Sequence, residues 1–253
     1  MTKNKTPQLE IHGLTDEGLV RDHNEDYISW VAKSGLVILA DGMGGHNAGE
    51  VASELAVTCI TDALEEVLSP DIKDTCEMDF EEVVHEAVVY ANDEINLHSK
   101  THPECTGMGT TVVMALFHSD SVILANVGDS RIYRFRKGEL QQVTSDHSLV
   151  QEMIDNGYMS EDEAQNSTNR NLITRALGIA EEVKVDVARH AIEKDDIYLL
   201  CSDGLSDMVT DDLIFSSLVK TRQNLERGAE DLVALAKDHG GHDNVSVILV
   251  ACK

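Results

Sequence analysis

The sequence predicts an α+β fold in which antiparallel sheets are covered by pairs of helices. Three observations point there. Short runs rich in Val, Ile and Leu, bounded by turn residues, recur along the chain. Several are joined by turns short enough to close hairpins. Helical stretches stand between blocks of strands instead of alternating with single strands as in a βαβ chain. The chain has 253 residues, 42% hydrophobic and 26% charged, which is enough to bury a substantial core. Aromatic residues make up only 4%, so that core must be built from Val, Leu, Ile and Ala.

Taken in order, "YISWV" and "LVILA" read as the first strands. Residues 48–68 and 80–98 follow with apolar positions at i+3 and i+4 spacing, a helical period. "TTVVMALF" and "SVILANV" read as a hairpin turning at His118–Ser121, and "RIYRFRKGELQQV" as a second one turning at Lys137-Gly138. "SLVQEMIDNG" is a short helix with Ser148 as N-cap and Gly157 as its stop. Residues 157–170 are polar and weakly patterned, a surface excursion. "DIYLLCS" and "NVSVILVAC" are further strands, with a helix over residues 225–239 between them. No internal repeat or linker divides the chain, so residues 1–253 are expected to form one domain.

Formal charge is −26, which excludes nucleic acid or an anionic membrane as the main partner and permits cations. The cysteines, Cys59, Cys76, Cys105, Cys201 and Cys252, are odd in number and form no CxxC pair. That pattern predicts a reducing compartment without a disulfide framework. The opening "MTKNKTPQLEIHG" has no apolar signal core, and no apolar run has the length of a membrane span.

The chemistry centres on "GLVILADGMGGHNAGE". An apolar strand ends in Asp41 and a glycine-rich turn follows. Such a turn suits a phosphate, but the carboxylate repels one, so a positive group must stand between them. Asp41 has counterparts: Asp129 ends "SVILANVGD", Asp203 ends "DIYLLCSD", and Asp243 immediately precedes "NVSVILV". Any one Asp-Gly pair is most simply a turn. Four aspartates at strand ends instead predict carboxylates meeting at one sheet edge, where a hard divalent cation such as Mg²⁺ or Mn²⁺ relieves their repulsion. Gly42, Gly44 and Gly45 are then expected to bend the backbone and bring a carbonyl to the metal. Neither a Walker loop nor GxGxxG is present. In "RDHNED", Arg21 offers a fork for phosphate oxygens, while Glu25 and Asp26 can serve metals directly or through water.

"RDHNED", "ADGMGGHNAGE", "GMGTT", "NVGDSRIY", "DHSLV", "ITRALG", "LLCSDGLSD" and "HDNVSVILV" occur in this order from about residue 9 to residue 252. In them the chain resembles the type 2C metal-dependent Ser/Thr protein phosphatases (PPM family), in a bacterial form. The resemblance implies two antiparallel sheets in a sandwich flanked on both sides by antiparallel helices, an αββα arrangement of four layers. It implies two ions, with Asp41 bridging them, the Gly42 carbonyl on one, and Asp203 and Asp243 on the other. It further implies Glu25 acting through metal-bound water, Arg21 gripping the substrate phosphate, and Asp129 sharing a third, weaker ion with Asp203. Residues 157–170 fall where such enzymes carry a flap.

The activity so implied is hydrolysis of phosphoserine and phosphothreonine on proteins by a metal-activated water. It would proceed without a covalent phosphoenzyme, opposing a Ser/Thr kinase, in a cytoplasmic monomer. The absence of a Cys-x5-Arg loop agrees with direct hydrolysis. Met43 holds the place where some relatives have a histidine, which leaves the general acid to a water, or to His46 or His147. Two alternatives compete: a phosphatase dedicated to one stress-regulator phosphoprotein, and a non-catalytic phosphoprotein-binding module. Elsewhere, His98, His102 and Cys105 have metal-like spacing but no clear fourth ligand, "GHD" reads as a loop into Asp243, and Asp207 reads as a cap for the following helix.

Overall fold

The computed structural model describes residues 7–44, 48–68, 78–160, 163–164, 167–169 and 171–253. Strands β1 (Leu9–Asp16), β7 (Arg131–Arg136), β8 (Glu139–Gln142), β10 (Ile197–Cys201) and β11 (Val245–Cys252) form one antiparallel sheet in the order β1-β11-β10-β7-β8. Strands β2 (Asp26–Val31), β3 (Leu36–Met43), β5 (Val112–His118), β6 (Ser121–Val127) and β9 (Asp186–Ala191) form the other, with β4 (Gly109–Thr110) paired to the end of β3. The helices are α1 (Ala48–Val67), α2 (Phe80–Thr101), α3 (Leu149–Asp155), α4 (Asp203–Ser206), α5 (Asp211–Thr221) and α6 (Leu225–Asp238).

The period-two rule sorts the core into three slabs. In β3, Leu36, Ile38 and Ala40 face α1 and α2, while Val37 and Leu39 face the opposite sheet. In β11, Val245, Val247 and Leu249 face α5 and α6, while Ile248 and Val250 meet β3 and β5 between the sheets. Strands apolar on both faces are the ones buried on both faces, and each fully buried Leu, Ile or Val contributes about 1.5–3 kcal/mol. The result is the expected four-layer αββα sandwich.

Local signals account for the element ends. Asp79 caps α2 by accepting from the Glu81 N–H, Ser148 caps α3 by accepting from Gln151, and Asn224 caps α6 by accepting from Arg227. Pro103 bars α2 from continuing. Lys137 and Gly138, both at positive φ, turn β7 into β8 as a primed turn. The run "TTVVMALF" is split at Thr111, and strands β1 and β9 and helices α4 and α5 add to the elements expected. Both added strands are sheet edges. Asp207 does not cap α5, whose N-cap is Thr210. Cys59, Cys105, Cys201 and Cys252 are free thiols, and Cys76 lies outside the described residues. Among the described residues no helix is long and apolar enough to cross a membrane.

At one end of the sandwich the two sheets are pinned together. Ser202 donates from Oγ to Asp26 Oδ2 at 2.8 Å, across the gap between β10 and β2. Gly204, just beyond, sits so close to the Asn244 carbonyl that a Cβ would collide with backbone. Gly204→Ala is therefore expected to destabilise the fold by about 3 kcal/mol, lowering Tm by about 6–12 °C. Gly138→Ala, which has open space and only its φ of 84° to strain it, is expected to cost about 1 kcal/mol. Equal melting shifts for the two would contradict the packing at Gly204.

Candidate active site

The pinned end holds a cleft of about 350 Å³. Because every strand pair is antiparallel, the end of β3, the β6–β7 turn, the end of β10 and the start of β11 all arrive there. Asp41 comes from β3, Asp129 from the turn, Asp203 from the first residue of α4, and Asp243 from the approach to β11. Arg21 and Glu25 enter on the loop between β1 and β2, and Gly42 completes the set. The expected ion ligands and the expected phosphate-gripping arginine thus line one cleft, whereas Asp26 is not part of its wall. Met43, Gly44, Thr111, Asn171 and Ile173 complete the wall.

The carboxylates are held there by neutral groups acting on backbone. Thr110 Oγ1 donates to the Asp41 carbonyl at 2.9 Å, and the Asp41 N–H donates to Thr111 Oγ1 at 3.2 Å. Thr111 Oγ1 also lies 2.8 Å from Ser130 Oγ, beside Asp129. Asn244 is the main positioning residue that sequence reasoning passed over. Its Oδ1 accepts the Glu25 N–H at 2.8 Å, and its Nδ2 donates to the carbonyls of His23 at 2.9 Å and Glu17 at 3.1 Å. One buried amide thereby fixes the loop that carries Arg21 and Glu25. Its only sequence signal was its place between Asp243 and a strong strand.

Gly42 and Met43 continue strand β3, paired to Thr110 and Gly109, so the glycine-rich stretch does not bend at Gly42 as expected. Gly42 is required instead because a Cβ there would meet the Gly49 carbonyl, where α1 crosses the strand end. Gly45 and His46 lie outside the described residues, as do residues 161–162, 165–166 and 170 of the expected flap. His147 does not line the cleft. It is 5% exposed, and both its ring nitrogens are engaged. The spaced His98 and His102 stack ring on ring at 3.9 Å, with His102 Nδ1 turned to the His98 carbonyl and Thr101 Oγ1.

Burial pushes the Asp41 and Asp203 carboxyls well above the usual range. Like charges add to this, from Asp26 and Asp203 on the first and from Asp129 and Asp207 on the second. Burial also raises Asp26 and Asp129 to about 6. Asp26 Oδ1 is buried without a hydrogen-bond partner. Arg21 is the one cationic side chain on the wall among the described residues, and its Nη2 donates to Asp243 Oδ2 at 2.6 Å. Among the described residues no three His, Cys, Asp or Glu side chains are already closed into a metal-ligand set. The carboxylates line the cleft without converging on a point. The donor set still fits a hard divalent cation: every ligand is oxygen, several are charged, and the strained acids gain most from a positive neighbour.

The protein phosphatase 2C family model matches residues 20–237. The serine/threonine phosphatase stp of Listeria innocua is 39% identical over 243 residues, covering 93% of each chain. The crystal structure of the Mycobacterium tuberculosis serine/threonine phosphatase PstP superposes with a TM-score of 0.88 at 38% identity, covering 97% of this chain and 99% of that one. A structure of the PstP catalytic domain in complex with two manganese ions superposes with a TM-score of 0.84 at 37% identity, covering 96% and 97%.

Metal-stripped protein is expected to melt higher on addition of Mn²⁺, since a ligand of the folded state alone stabilises it by mass action. Asp203→Asn removes one member of the buried crowd. Without metal it should melt about 2–4 °C above the wild type, the equivalent of about 1 kcal/mol of relieved repulsion. It should also lose the rise with Mn²⁺. Differential scanning fluorimetry with and without EDTA checks both signs.

Proposed function

This chain belongs to the protein phosphatase 2C family, and from that premise we propose that it hydrolyses phosphoserine and phosphothreonine on proteins by direct attack of water. The observation that carries the reading is the cleft itself, which Asp41, Asp129, Asp203 and Asp243 line together with Arg21. We assign two Mn²⁺ or Mg²⁺ ions to Asp41, the Gly42 carbonyl, Asp203 and Asp243, with Glu25 acting through water. A third, weaker ion goes to Asp129 with Asp203 shared. Bound there, the ions supply the positive charge that makes a water acidic and neutralises the phosphoryl group.

The chain's own residues do the rest. Asp243 gives up Arg21 when it takes up a cation, and the freed guanidinium offers its fork to the equatorial phosphate oxygens. Asn244, through Glu25, keeps that loop at the right height. Thr110 and Thr111 hold Asp41 against recoil from its neighbours. The water oxygen bonds to phosphorus while the bond to the serine or threonine oxygen breaks. No histidine lines the cleft among the described residues, so we assign the proton for the departing oxygen to water. A cysteine nucleophile is unsupported: Cys201 is buried under α5 and α6, and burial pushes its thiol to about 12.

We extend the reading to phosphoproteins made by a Ser/Thr kinase, met in the cytoplasm by a single copy of the chain with residues 157–170 as a flap. With Mn²⁺, the protein is expected to turn over both p-nitrophenyl phosphate and a phosphothreonine peptide, and to stop in EDTA. Asp41→Ala and Asp203→Ala should lower kcat by about a thousandfold or more, and full activity in either variant would remove the mechanism. Turnover of a single phosphoprotein and no peptide would favour the dedicated regulator. Tight phosphopeptide binding without turnover would favour the binding module.

A further inference from the structure

The β6–β7 turn that carries Asp129 is not self-supporting. Gly128 has φ of 112°, and a Cβ there would press on the Thr111 side chain. What holds this turn is His147. Its Nδ1 accepts the Gly128 N–H at 3.1 Å, and its own N–H donates to the Gly128 carbonyl at 2.9 Å. Both polar groups of the Gly128 residue therefore end on one buried histidine.

The same residue faces the other way as well. Because Nδ1 is an acceptor, the ring proton belongs on Nε2, which lies 3.2 Å from Asp186 Oδ2 and 3.0 Å from the donor-only Arg175 Nη1; in this tautomer Asp186 is the acceptor and the Arg175 contact is not a hydrogen bond. Arg175 Nη1 donates to Asp186 Oδ1 at 3.0 Å, and this carboxylate keeps the imidazole turned. The His147 carbonyl accepts the Thr174 N–H at 2.7 Å, Ser148 bridges to Ile173, and the Leu149 N–H donates to the Leu172 carbonyl. Ile173 is part of the cleft wall.

We propose that His147 is a positioning residue: it sets the Asp129 carboxylate through the Gly128 peptide and ties that carboxylate to the chain at residues 172–175, where the polar excursion rejoins the cleft. Asp129 then holds a cation only while the imidazole keeps its acceptor on Gly128. Movement of residues 172–175 is felt at Asp129 before it is felt at Asp41 or Asp203. The activity arm of the test rests on the phosphatase reading, whereas its spectroscopic arms do not.

In the unmutated, metal-free protein, ¹⁵N NMR should show a through-hydrogen-bond coupling between the Gly128 amide nitrogen and His147 Nδ1, with the ring in its Nε2–H form. Absence of the coupling, or an Nδ1–H ring, overturns the proposal. His147→Asn keeps an acceptor near the Nδ1 position, whereas His147→Gln moves it away. His147→Gln should speed Gly128 amide exchange about tenfold and raise the Mn²⁺ concentration for half-maximal activity about five- to tenfold, with KM for a phosphopeptide nearly unchanged. His147→Asn should stay within about twofold of the wild type on both counts. On an Asp129→Asn background, His147→Gln should add no further Mn²⁺ shift. A protected Gly128 amide in His147→Gln, equal defects in the two variants, or a full extra shift on the Asp129→Asn background each overturns it. If the coupling and exchange results hold in a protein that hydrolyses nothing, the positioning role stands and the phosphatase reading falls.

Discussion

Repulsion among carboxylates forced into one half-buried cleft is the constraint on which this structure depends. Two unit charges 4 Å apart repel by about 4 kcal/mol at the effective dielectric of a protein surface region, and the carboxyls of Asp26, Asp41, Asp129, Asp203 and Asp243 act on one another here. Left alone, such a cluster either protonates or moves apart. The raised pKa values of Asp26, Asp41, Asp129 and Asp203, which make these carboxyls weaker acids, are the first response. The second response is prevented by position. Asp41 is on a central strand, paired on one side to β2 and on the other to β4 and β5. Asp203 opens a helix whose next residue is pressed against the Asn244 carbonyl. A site whose acids cannot move apart, and which otherwise stays uncharged only by holding protons, gains from taking up cations instead.

The surrounding hydrogen bonds follow from this. The clamps on the acidic strand ends are hydroxyls and amides: Thr110, Thr111, Ser130, Ser202 and Asn244. A lysine in any of these places would bring its own charge and satisfy a carboxylate permanently. Thr110, Thr111 and Asn244 act on backbone, and Ser202 donates to the carboxylate of Asp26, which is not part of the cleft wall. Arg21 is the exception, and it is placed at the rim, 49% exposed, on the most accessible partner. Its ion pair with Asp243 has the modest strength of an exposed contact, so it can be exchanged for another anion.

What was readable from the sequence divides along the same physical line. Strands buried on both faces, such as "LVILA" and "SVILANV", announce themselves because burial demands uninterrupted apolar residues. The aspartates that end them were readable because a charge after such a run has no packing role. Strands β1 and β9 are edges with one or both faces wet, and "DVARHA" carries no alternation to detect. Thr111 was hidden inside a β-branched run, where its hydroxyl served as well for a strand as for a clamp. Asn244 was invisible for a different reason. Its partners, the backbones of Glu17, His23 and Glu25, lie more than two hundred residues away in sequence. A side chain that recognises backbone leaves no mark on the residues it recognises. The glycine-rich stretch misled in the opposite sense: Gly42 looked like a hinge and proved to be the point where α1 passes closest to β3.

Stability and chemistry pull against each other at this end of the sandwich, and the layout of the core shows how the conflict is met. The three apolar slabs run the length of the strands, and β3, β10 and β11 are wholly or almost wholly buried along their pairing regions. The acids stand at the strand ends, beyond the buried apolar run: Asp41 after Ala40 in β3, Asp203 after β10, Asp243 before β11 and Asp26 at the start of β2. Stabilising and destabilising residues are thereby separated along every strand, with the Asp26–Ser202 contact at the boundary. Because no core residue is given up for the site, an acid at a strand end can be exchanged for its amide without unravelling the slab behind it. Local strain concentrated at a functional site is tolerable on these terms. The same separation explains why the site needs the complete fold. Its residues come from both sheets and from strand ends scattered over the whole sequence, so no fragment that forms one sheet alone can assemble the cleft.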